Sequence, residues 1–162
     1  MERHRRIGVL VTATTLVAVA LLLAPATSAG PEGRSRLRAN LSGAAVVPGP
    51  GDPDATGRAE LRLLPEKKKI CFIFTHESLA PDDPVLGEVH RAPEGVSGPT
   101  VVTLFEGIPG MKSSAIGKCA KTKGSVLKDL ARHPERFYVD LHTPLFPDGA
   151  IRGQLYKKPP PG

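Results

Sequence analysis

Apolar and polar positions alternate with a period of two along much of the chain, in short runs broken by Gly, Pro and Asp. That is the pattern of strands with one buried face. It is clearest over residues 56–64, where Ala59, Leu61 and Leu63 fall on one face and Arg58, Glu60 and Arg62 on the other. An opening strand is predicted over 37–41, and residues 44–48 then lead into a solvent-facing loop rich in Gly, Pro and Asp at 49–54. Pro65 to Lys69 reads as a turn into a strand over 70–75, with further strands at 87–91 and 99–105. Residues 137–155 read as a β-hairpin: Tyr138, Val139 and Leu141 favour a strand, and Pro144 and Pro147 exclude a helix. Asp148-Gly149 offers the positive φ that a reversal needs.

One segment breaks this rhythm. Val126, Leu127 and Leu130 stand at helical spacing, with Ser125 as N-cap and Pro134 as stop, so a helix of two turns is predicted over 125–133. It is too short to persist unless it packs on the strands. Seven or eight short strands and one small helix predict an all-β fold, a two-sheet Greek-key sandwich of immunoglobulin-like or superoxide-dismutase-like architecture.

The N-terminal segment bears on the compartment. Arg3, Arg5 and Arg6 precede an uncharged run over 7–24, and small residues follow up to Ala29. This predicts a signal peptide over 1–29 and a secreted or extracytoplasmic product. A retained anchor is the alternative, with the apolar run at the short edge of what spans a bilayer. A linker is expected at 30–36, one domain at 37–156 and an unpacked tail at 157–162.

Charge narrows the range of partners. Losing the three Arg and one Glu of the predicted signal lowers the net charge from +6 to +4. The remaining basic residues gather at 67–69, 118–128 and 157–158, where they read as solvated turns and tails. With two Tyr, five Phe and no Trp in the chain, bases would find little to stack on, so nucleic acid is not expected as a partner. The expected partner is a protein or a cell-envelope component, with membrane contact only through the signal segment.

Cys71 and Cys119 are the only cysteines. In an oxidising compartment they are expected to form a disulfide that closes a long loop. Metal-binding or redox thiols are the weaker alternative, because no Cys-x-x-Cys spacing is present.

The hairpin Phe137-Tyr-Val-Asp-Leu-His-Thr-Pro-Leu-Phe-Pro-Asp-Gly-Ala-Ile-Arg-Gly-Gln-Leu155 resembles the C-terminal signature of the CHRD (chordin-type) domain. That signature is usually Tyr-Val-Asn-Val-His-Thr followed by Phe-Pro-x-Gly-Glu-Ile-Arg-Gly-Gln-Leu. Upstream, Leu41-Ser-Gly-Ala-Ala-Val-Val-Pro48 is similar to the family's opening Leu-x-Gly-x-x-Glu-Val-Pro, with Val46 in place of the acidic residue. Gly87-Glu-Val-His-Arg-Ala-Pro93 and Ser97-Gly98-Pro99 are similar to Ala-His-Ile-His-x-Gly and Asn-Gly-Pro. The first His of that pair is here Glu88, the second survives as His90, and the hairpin keeps His142 and Arg152. The resemblance spans roughly 37–155 and implies no reaction, since none is attached to the family.

These residues carry the sharpest chemical hypothesis. Positions two apart on a strand share a face, so Glu88-x-His90 presents both side chains together. With His142 on a neighbouring strand, Glu88, His90 and His142 could ligate a transition metal ion in a two-His-one-carboxylate manner. Alternatively, His90 and His142 bond to loops and to Arg152 and form a structural polar cluster without any cofactor. His76 and His133 are expected to be exposed. Dismutase chemistry needs more histidines than this chain has, and no Gly-x-Ser-x-Gly elbow or His-Glu-x-x-His helix suggests a hydrolase. Two functions remain: a non-catalytic extracytoplasmic binding or structural module, like the CHRD modules of chordin and of secreted bacterial proteins, or a metal-binding or metal-dependent redox protein.

Overall fold

A computed structural model describes residues 35–79, 83–107 and 114–157. The expected signal peptide, residues 30–34 of the expected linker and residues 158–162 of the expected tail lie outside them. No helix among the described residues is long and apolar enough to cross a membrane.

Nine strands follow one another along the described residues. They are β1 (Arg36–Ser42), β2 (Thr56–Leu64), β3 (Lys69–Glu77), β4 (Leu86–Arg91), β5 (Thr100–Glu106), β6 (Ala115–Lys121), β7 (Phe137–His142), β8 (Ile151–Gln154) and the two-residue β9 (Tyr156–Lys157). One helix, α1 (Gly124–Arg132), stands between β6 and β7. All pairings are antiparallel and run in the order β5-β4-β7-β8-β1-β2-β3-β6, with β9 beside β1.

The all-β class is as expected, but the two sheets of the expected sandwich are continuous. One register pair, Ser42 with Arg152, joins β1 to β8 and so connects the half β5-β4-β7-β8 to the half β1-β2-β3-β6. At the other side β5 and β6 lie against each other without forming a ladder, so the sheet is a nearly closed barrel. Alternation along the strands is what fills it. Leu37, Ala39 and Leu41 of β1, Ala59, Leu61 and Leu63 of β2, and Ile70, Phe72 and Phe74 of β3 all point inward and are buried. Phe72, Phe74 and Phe105 form an aromatic cluster there, with ring centroids 5.7 to 6.3 Å apart.

Several expectations change in detail. Residues 43–45 form a 3-10 turn instead of extending toward Pro48. The helix starts at Gly124 with Lys123 as its N-cap, so Ser125 lies inside the first turn and does not cap it. Its buried Leu127 and Leu130 rest against β2 and the β2–β3 turn, which supplies the tertiary support a helix this short requires. Lys157, expected in the tail, pairs with Leu37. Strand β6 has no counterpart in the sequence reading, which treats its lysines as part of a solvated run.

The disulfide forms as expected, between positions directly opposite in the β3–β6 register. Its placement is less buried than a cysteine in an apolar strand suggests. Ile70, Phe72 and Phe74 take the inward positions, so Cys71 faces outward half-buried and Cys119 is exposed.

Candidate metal centre

The inward face of β7 is spent on the core, through Phe137, Val139 and Leu141. Its outward residues Tyr138, Asp140 and His142 are nevertheless buried, because residues 92–99 and 143–150 close over them. Strand β4 runs beside β7 with Glu88 opposite Asp140, His90 opposite Tyr138 and Leu86 opposite His142. Glu88-x-His90 and Asp140-x-His142 therefore meet on one face, with carboxylates opposite each other and histidines on the diagonals.

Glu88, His90, Asp140 and His142 each place a ligand atom within 4.8 Å of the other three. His90 Nε2 lies 3.2 Å from Asp140 Oδ2 and 3.4 Å from Glu88 Oε2. His142 Nε2 lies 3.3 Å from Asp140 Oδ1 and 3.8 Å from Glu88 Oε2. Both rings are oriented from behind. His90 Nδ1 donates to the Gly98 carbonyl at 2.9 Å, and His142 Nδ1 donates to the Pro147 carbonyl at 2.8 Å. A carbonyl can only accept, so each Nδ1 carries a proton, and each ring in its neutral form turns its Nε2 lone pair into the cluster. There it meets carboxylates, which also only accept. His90 Nε2, His142 Nε2 and Asp140 Oδ1 are buried without a hydrogen-bond partner. Four acceptors facing one another repel unless a cation, or a second proton on an imidazole, stands between them.

A shell of positioning contacts surrounds the four residues. Thr103 donates to Glu88 Oε1 at 3.2 Å and Thr100 to Glu88 Oε2 at 3.4 Å. The Tyr138 ring stacks on His90 with centroids 4.7 Å apart and planes 2° from parallel. The Arg152 guanidinium covers the other face of Tyr138 at 3.5 Å. Arg152 also donates to the carbonyls of Pro93 and Val96, pinning the loop whose Gly98 holds His90. A Cβ on Gly98 would stand 2.1 Å from the Arg91 carbonyl oxygen, so only glycine lets that loop approach.

Of the residues expected from the sequence, Glu88, His90 and His142 come together, and Arg152 reaches them through Tyr138 and the 92–99 loop. The loop bonds expected of a structural polar cluster are present too, made by the Nδ1 atoms while the Nε2 atoms face the carboxylates. Asp140 was missed, although Asp140-x-His142 has the same two-residue spacing as Glu88-x-His90. His76 and His133 are half-buried, not exposed, and stand apart from the cluster.

A family model of the CHRD domain matches residues 37–155. The chain belongs to the CHRD domain family. No curated protein and no solved structure matches it. In this CHRD domain the matched region begins in β1 and ends just after β8, so the family's span is the barrel itself.

The cluster's charge state follows from its surroundings. Burial pulls the His90 and His142 pKa values down, but in the charged ring Nε2 gains a proton that it can donate to Asp140, and this bond and the Asp140 charge, helped by the Gly98 and Pro147 carbonyls and Glu88, outweigh burial and raise both. Burial pushes Asp140 up, and the two histidines more than reverse this, leaving it below the usual carboxylate value. In the metal-free CHRD domain the histidines thus stabilise the fold fully below about pH 6.5 and lose that contribution as pH rises through their raised values. Asp140 contributes above about pH 3.9 and ceases to as pH falls through its lowered value. With chelator present, the urea midpoint is expected to peak between those limits and to fall toward alkaline pH. Asp140→Asn should flatten the profile; a variant that keeps the parent profile would show that these groups do not set it.

Proposed function

We propose that this CHRD domain is a non-catalytic extracytoplasmic module that holds one divalent transition metal ion through Glu88, His90, Asp140 and His142. The observation that carries the reading is the set of spacings around the cluster. Atoms held tetrahedrally at about 2.0 to 2.1 Å from Zn²⁺ stand about 3.3 Å apart; here the imidazole-to-carboxylate spacings run from 3.2 to 3.8 Å, with one Asp140 oxygen facing each histidine, and one ligand atom from each of the four residues lies within 4.8 Å of the others. Charge-assisted N–H···O bonds are shorter, about 2.7 to 2.9 Å. Two neutral imidazoles and two carboxylates offset the charge of a divalent ion, and their nitrogen and oxygen donors suit Zn²⁺ or Cu²⁺. The orphaned Nε2 atoms would become ligands, with the backbone carbonyls serving as outer-shell acceptors of the kind that fix metal-binding histidines.

Four protein ligands make a closed site of the structural type, whereas catalytic zinc keeps a position open for water or substrate. That supports the non-catalytic reading. The basic start and apolar run of the N-terminal segment support export.

The test uses protein expressed with its own N-terminal segment, recovered from outside the cytoplasm without chelator and reloaded with Zn²⁺. Native mass spectrometry is expected to show one ion per chain, lost in His90→Ala, His142→Ala and Asp140→Asn while circular dichroism stays that of the parent. A folded parent that takes up no Zn²⁺ or Cu²⁺ would overturn the metal reading. Retention of the product in the cytoplasm would overturn the extracytoplasmic one.

A further inference from the structure

The seam where the barrel fails to close is also where the molecule gathers positive charge. A trough runs between β5 and the β6–α1 connection, lined by Thr100 to Thr103 on one side and by Lys68, Lys121, Lys123 and Val126 on the other. Among the described residues, neither a carboxylate nor an aromatic ring lines it. Lys68 arrives from the β2–β3 turn, tied in place by a hydrogen bond from the Thr122 amide to its carbonyl. Beside it, Lys69 and Lys121 are direct partners in the β3–β6 register. Like charges directly opposite in a sheet are destabilising, and neither they nor Lys68 and Lys123 have an ion-pair partner among the described residues. Among the described residues no ion pair offsets the repulsion between Lys69, which lies just outside the trough, and Lys121 within it. A bound anion would.

We infer that this trough binds linear polyphosphate. Lysines from two separate segments spread along an open groove suit a chain more than a single ion. Every cation lining it is a lysine, which acts on phosphate as a compact point charge. The absence of aromatic lining removes the stacking platform that single-stranded nucleic acid uses. Thr100 and Thr103 spend their hydroxyl protons on Glu88, so the lysines are the principal donors left to the groove. This inference is independent of the metal, because the lysines do not touch the ion's ligands.

The probe is linear polyphosphate, titrated into the purified protein with chelator present. The comparison is between the parent, the triple variant Lys68→Gln, Lys121→Gln, Lys123→Gln, and the charge-matched control Arg62→Gln, Arg132→Gln, Arg136→Gln, whose arginines are exposed away from the trough. Three displaced counterions predict a slope of about −2 for log affinity against log salt. The parent is expected to show that slope, the triple variant to lose at least about tenfold in affinity and most of the slope, and the control to keep both. An equal loss in the control would reduce the effect to overall charge and overturn the assignment. Absence of parent binding at about 0.05 M salt would overturn it outright. Displacement of polyphosphate by an equal charge of heparin or single-stranded DNA, as readily as by polyphosphate itself, would overturn the phosphate-chain specificity.

Discussion

Zn²⁺ at about a thousand times its dissociation constant is expected to raise the melting temperature of this CHRD domain by about 10 to 15 °C. Mass action gives about 4 kcal/mol at that ratio, and one kcal/mol moves the midpoint of a domain this size by about 3 to 4 °C. The gain depends on the full ligand set, because losing Asp140 removes one donor and one of the two negative charges that balance the ion. In Asp140→Ala the shift should therefore shrink to about 2 °C or less. Differential scanning calorimetry with and without metal checks this. A shift of the same size in Asp140→Ala would place the ion elsewhere on the molecule.

Loss of the Cys71–Cys119 disulfide should have a comparable cost. It joins residues 48 positions apart, and closing a loop of that length restricts the unfolded chain by about 4 kcal/mol in the entropic account. Cys71→Ala, Cys119→Ala is accordingly expected to lower the unfolding free energy by about 2 to 4 kcal/mol. The loss should also be uneven in space. Strand β6 stands at one end of the strand order and has a ladder only with β3. Without the crosslink, hydrogen exchange should quicken first at Ile116 and Ala120, ahead of Val139 and Leu141 at the barrel's centre. Uniform acceleration, or a change below about 1 kcal/mol, would show that the staple does not act on β6.

Residues 56–64 and 137–142 were legible because each has one or both faces committed to burial, and their side chains say so. Strand β6 was not. Its sequence Ala-Ile-Gly-Lys-Cys-Ala-Lys commits only Ile116 fully to the core, since an end strand beside an open seam has little to bury. The lysines along it read as loop, although lysine is a common way to keep an exposed strand edge from pairing with another chain. The continuity of the two half-sheets was equally hidden, resting on one register pair at Ser42 that no local pattern announces. At the site, three of the four converging residues were visible through the spacing of Glu88-x-His90 and through His142. Asp140 stands two before His142 as Glu88 stands two before His90, but inside an apolar strand that spacing is a weak signal until the register sets Asp140 opposite Glu88.

The crosslink has one more consequence, for what happens when the backbone is cut. Cys71 lies in the third strand and Cys119 in the sixth, so any peptide bond broken between them leaves both pieces of the molecule covalently joined. The two pieces would also remain interleaved, because the sixth strand belongs to the later piece yet lies in the half-sheet built mainly by the earlier one. Nicking by a protease in that interval would change the number of chain ends without changing the number of molecules, and would become visible as fragmentation only after reduction.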